Sequence, residues 1–161
     1  MTTLHVALGP QATAFSDDDE GASYEVPLGS DALAGMLTGD PPLPEELTNA
    51  ICLFMDHLED VTREVPSAGF ADRIVVHGPG LQALVDTQVG EAQVLPVELA
   101  RPDVEEVFRT LATEAATDSR CNPGLPAHEV HHVLGVACAL VATLRALQAG
   151  ALTITGDTVD R

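Results

Sequence analysis

Residues 133–144 read Val-Leu-Gly-Val-Ala-Cys-Ala-Leu-Val-Ala-Thr-Leu, with no charge anywhere and Thr143 as the single strongly polar side chain. A helix that is apolar on most of its circumference cannot lie on a surface and has to be wrapped by other elements. The pattern predicts a helix over 125–148, opened near Leu125-Pro126, capped by Gly150 and largely buried. It is broken by Gly135 and Thr143 and too short to span a bilayer, so no membrane role is expected. At 161 residues the chain is long enough for one domain with a sizeable core, and no linker or internal repeat divides it.

The elements that must wrap this helix are legible in order. Apolar residues alternate at Leu4, Val6 and Leu8 before Gly9-Pro10, which predicts a strand over 2–8. A weaker strand is expected over 12–15 and another over 22–28, where Tyr24, Val26 and Leu28 alternate with their neighbours. Asp17 to Glu20 lies between these two and reads as a solvated hairpin tip. A short helix is possible over 30–37. From Pro44 a long one begins, with Glu45 and Glu46 favoured by the helix dipole. Its stripe of Leu47, Ile51, Phe54, Leu58, Val61 and Val65 faces a core, and 66–69 ends it. Residues 73–76 form a β-branched strand stopped by His77-Gly-Pro-Gly80, a turn able to aim backbone N–H groups at an anion. Residues 81–100 read as irregular, with a short strand near 94–99. A second core helix opens at Pro102, and 152–155 is the last strand.

Charge removes whole classes of partner. Twenty-five acidic residues face seven basic ones, a formal net charge of −18, and there is no lysine, a composition typical of a GC-rich genome. Nucleic-acid binding needs a basic footprint, so no nucleic-acid role is expected, and a free polyanion is repelled. Without lysine a Walker loop is impossible, and no G-x-S-x-G elbow occurs. Three widely spaced cysteines, Cys52, Cys121 and Cys138, fit small buried thiols in a reducing compartment. The amino terminus has neither a basic nor an apolar leader region, so a cytoplasmic location is expected.

One local motif carries chemistry. His128-Glu-Val-His-His132 matches H-E-x-x-H, which on a helix sets His128 and His132 on one face to grip zinc, with Glu129 as base. Against this, no third ligand is evident nearby, and a plain polar helix start explains the same letters. His5 and His77 sit beside expected strand ends, where ligand clefts open in parallel sheets, though a structural role is the commoner one.

The stretches 26–33 and 39–47, the Asn122-Pro-Gly-Leu-Pro126 turn, the Ala-rich 136–141 and the closing 152–156 together resemble the exopolyphosphatase / guanosine-pentaphosphate phosphatase (Ppx/GppA) family. The resemblance implies an α/β fold, a ribonuclease H-like single lobe of the actin-like ATPase superfamily. It would span 1–161, with a mixed five-stranded sheet, antiparallel hairpin strands first and helices packed on it. The chain would correspond to the family's second lobe, without the first lobe and its catalytic glutamate.

The resemblance also places the family's phosphate turns, and both are depleted here. Its D-I-G-G-G-S-x-E loop falls on 5–12, where Leu8 replaces a glycine and Gly9 remains. Its G-T-x-T turn falls on 78–81, where Gly78 and Gly80 remain, the hydroxyls are gone and Pro79 lacks an N–H. Glu129 and His131 stand where the family has Arg and Asp. The expectation is a degenerate lobe, non-catalytic and without cofactor, acting through protein–protein association. A homodimer or a separate protein would cover the face left by the missing lobe. The alternatives are a phosphatase half completed in trans by another chain or a homodimer, a zinc hydrolase built on His128, Glu129 and His132, and a small-molecule sensor using the Gly9 and Gly78 turns.

Overall fold

A computed structural model describes residues 2–17, 21–39, 41–113 and 129–156. The strands are β1 (Thr3–Leu8), β2 (Thr13–Asp17), β3 (Ala22–Val26), β4 (Arg73–His77), β5 (Val97–Ala100) and β6 (Ala151–Ile154). The helices are α1 (Ser30–Gly35), α2 (Pro44–Glu64), α3 (Leu81–Val89), α4 (Arg101–Thr113) and α5 (Val130–Ala146), with a 3₁₀ turn at Pro66–Gly69. The strands form one sheet in the order β3-β2-β1-β4-β6-β5. The first three make an antiparallel meander, β1, β4 and β6 run parallel, and β5 closes the edge antiparallel to β6.

Alternation in β1 sends Leu4, Val6 and Leu8 to one face, level with Phe15 on β2 and Val76 on β4. That face is covered by the helices, which gather around α5. Helices α1, α2, α3 and α4 each pack on α5, and its residues Val133 to Leu144 are all buried. The apolar run is therefore a central post. Its Cys138 thiol is pushed up to about 12 by burial, which leaves it protonated and inert at neutral pH. The opposite sheet face carries His5, Ala7, Ala14, Ser16, Val75 and His77, all only partly buried, with Glu25, Arg73 and Glu98 exposed.

The structure corrects several expectations. The sheet has six strands, because β5 adds an edge strand that the sequence places only loosely. Val94, expected within it, is 90% exposed, and pairing starts at Val97. Residues 81–89, read as irregular, form α3. Leu81, Leu84 and Val85 are its buried face, and Gly80 and Gly90 bracket it in left-handed conformations. Val85, Thr87 and Val89 weaken its helix propensity, and nine residues give little periodicity to read. Asp17 is not part of a solvated tip. It ends β2 on the inward side, is buried, and accepts a hydrogen bond from the Ser67 hydroxyl. Cys52 is exposed on α2, whereas Cys138 is buried as expected. Cys121, Asp18 to Glu20 and the proposed helix start at 125–128 lie outside the described residues. No described helix is long and apolar enough to cross a membrane.

Glu46 fixes the entry to α2. Its carboxylate accepts from the N–H groups of Thr38 (3.1 Å), Gly39 (3.2 Å) and Leu43 (3.0 Å), and from the Thr38 hydroxyl. The Thr38 hydroxyl first, and then the Leu43 amide, lower this carboxyl to about 2. A depressed folded value means that the clamp contributes fully above pH 4.5 and is lost as pH falls toward 2. Thermal melts across that window are expected to show a declining midpoint, and Glu46→Gln is expected to flatten the decline. An identical slope in the variant would contradict the role of this clamp.

Candidate functional site

Parallel pairing sets Ala7 level with His77, so β1 and β4 end together and their following turns lie side by side. Gly78 has φ +146°, and a Cβ there would stand 2.1 Å from the Leu8 carbonyl oxygen. Only glycine lets the two strand ends close to this distance. The first turn is closed on itself, because the Gly9 N–H donates to the Ala12 carbonyl at 3.0 Å. Its outward carbonyls are also occupied. Ser30 N–H donates to Gly9 O (3.0 Å) and Asp31 N–H to Pro10 O (2.9 Å), which seats the start of α1 on the hairpin tip. Gly29 permits this seating, since a Cβ on it would lie 2.3 Å from Gly9 O.

The second turn leads into α3. Gly80, at φ +90°, is its N-terminal cap, and the His132 ring and Val136 of α5 press against it. His132 Nδ1 lies 3.0 Å from the Asp31 carboxylate, so its N–H donates to α1 while the rest of the ring supports α3. His131 turns to a different partner and donates from Nε2 to the Gly39 carbonyl at 3.0 Å. Successive residues on a helix diverge by about 100°, which separates these neighbours. Glu129 is the residue before α5, and His128 lies outside the described residues. The described part of the H-E-x-x-H segment thus hydrogen-bonds to α1 and to the segment before α2. Among the described residues no three His, Cys, Asp or Glu side chains are placed to hold a metal ion.

Between the glycine turns, on the open side of the sheet, lies a cleft of about 260 Å³. Its walls are Ala7, Leu8, Gly9, Ala12, Ala14, Glu25, His77, Gly78 and Pro79. Gly9 and Gly78 both line the cleft, whereas Gly80 lies against His132 of α5. His77 lines the cleft, but His5 sits mid-strand between Ser16 and Val75 and does not. Sequence reasoning does not single out Asp31 or Gly29. The Gly-Ser-Asp that follows β3 is a usable signal, being the pattern of a helix start. Chemically the cleft offers a carboxylate, an imidazole and small apolar side chains. Among the described residues no arginine or hydroxyl lines it.

No family model matches the sequence, and no curated protein is significantly similar to it. Solved structures are similar in fold. The Aquifex aeolicus Ppx/GppA phosphatase (type II variant) superposes with a TM-score of 0.82 at 17% identity, covering 96% of this chain and 53% of that one. An exopolyphosphatase-like protein gives 0.82 at 18%, covering 97% and 55%. An exopolyphosphatase from Cytophaga hutchinsonii gives 0.72 at 13%, covering 96% and 53%. The chain spans about half the length of each. Strand order, helix layout and these superpositions agree that the chain has the actin-like α/β fold of one half of a Ppx/GppA phosphatase.

Proposed function

We propose that this lobe is non-catalytic and works by associating with another protein surface, either a second copy or a separate partner. The observation that carries the reading is the composition of the cleft between the Gly9 and Gly78 turns. Phosphoanhydride chemistry needs donors and positive charge aimed at phosphate oxygens. Here the Gly9 N–H is spent on Ala12, Pro79 has no N–H, and the charged wall residue is Glu25. A formal charge of −18 adds repulsion at longer range. The open sheet face supports an associating role. Strands β1, β4 and β6 run parallel, and parallel strands are normally covered on both faces. Ala7, Ala14, Ser16 and Val75 make a flat, small-residue floor there that a partner can lie on.

Phosphate release from medium-length polyphosphate tests the reading, using the chain alone and with divalent cations. The expected result is release at the buffer rate. Release that is abolished by Pro79→Trp, which fills the cleft from an exposed position, would overturn it.

A further inference from the structure

The surface opposite the open sheet face holds a groove that the proposed role of the cleft does not use. Along α2, one flank of the buried stripe is uncharged for about two turns, through Thr48, Cys52 and Met55. The outer face of the same helix carries Glu45, Asp56, Asp60 and Glu64. Across from this flank stand Phe108 of α4 and Arg145 of α5. Arg145 is not a free cation, because Glu105 accepts from its Nε (3.1 Å) and Nη2 (2.8 Å), and Arg101 reaches the same carboxylate at 3.6 Å. The head is held in place, and the aliphatic stem is left as a wall. Two cavities, of about 280 and 340 Å³, share Cys52, Met55 and Arg145 and so form one trough. It runs beside α2 from Pro44 to Thr62, roughly 27 Å at 1.5 Å per residue, enough for about five turns of a docked helix.

The charges around the trough choose its occupant. Asp56 and Glu59 stand on its lip without a described cation bonded to them, in a chain carrying 25 acids. From this we infer that the α2–α4–α5 trough docks an amphipathic helix of a partner protein, apolar on one face and basic along its flanks. Met55 supplies an adaptable floor, and the acidic lip pairs with the flanking cations. A second copy is a poor occupant, since its own α2 would bring acids to the same lip.

A designed 18-residue helical peptide serves as probe, with leucines at i, i+3, i+4 and i+7 and lysines on both flanks. A control has glutamate at every lysine position. Saturable one-to-one binding of the basic peptide is expected, with amide shifts clustered on Thr48, Met55, Phe108 and Arg145. Met55→Glu should weaken it at least about tenfold by putting a charge on the apolar floor, and Thr48→Lys, which sets a cation at an exposed position on the wall, about threefold or more. Equal binding of the acidic control, shifts scattered over the surface, or dimerisation of the chain abolished by Met55→Glu would each overturn the inference. These outcomes are separable from the role of the cleft, because neither peptide nor variant touches the Gly9 and Gly78 turns.

Discussion

Gly78→Ala is expected to lower the thermal midpoint by about 10–15 °C. Two costs combine. A φ of +146° is strained for any residue with a Cβ, and the added methyl would meet the Leu8 carbonyl oxygen at 2.1 Å. That oxygen belongs to backbone at the end of β1 and cannot swing aside without breaking the pairing of β1 with β4. The sum is roughly 4 kcal/mol or more. Gly69→Ala is the control, since nothing lies within 4 Å of the new methyl. Differential scanning calorimetry of both variants checks this, and a Gly78→Ala midpoint within a degree or two of the parent would contradict the interlocked turns.

Gly135→Val is expected to cost nearly as much, for a different reason. Gly135 lies where α5 crosses α1, and a Cβ there would stand 2.5 Å from Ser30 O and 2.9 Å from Ala34 N. Helix propensity favours the replacement by a few tenths of a kcal/mol at most, whereas overpacking against backbone costs about 3 kcal/mol. The displaced α1 would carry Asp31 away from His132 and release the carbonyls of Gly9 and Pro10. Melting and the ring resonances of His132 are the two readouts. Gly35→Ala, on the same short helix but in open space, should leave both unchanged.

The helices and strands with long or strict periodicity are legible in the amino-acid sequence. The α2 stripe, the α5 post and the alternation in β1 each follow from one-dimensional spacing. The rest depends on contacts between distant parts of the chain. Helix α3 hides between two glycines, and β5 gains its identity only by pairing with β6. Asp17 looks like one more acid in an acidic turn until Ser67, far along the chain, is brought to it. The two glycine turns are each legible as strand ends, but their adjacency is not, because it depends on parallel pairing of β1 and β4, which no local pattern encodes. The histidines show the opposite failure. Their spacing suggests a shared task, while the helix sends His131 to Gly39 and His132 to Asp31.

The hydrogen bonds of the first turn hold α1 and the hairpin together. On the proposed reading the cleft between the Gly9 and Gly78 turns takes no phosphate, because the Gly9 N–H is turned inward to Ala12. Pyrophosphate titration followed by the amide resonances of Gly9, Gly78 and Gly80 measures this directly. The account predicts no saturable shift of these glycines up to about 5 mM ligand, and their saturation with a Kd below about 100 µM would contradict it.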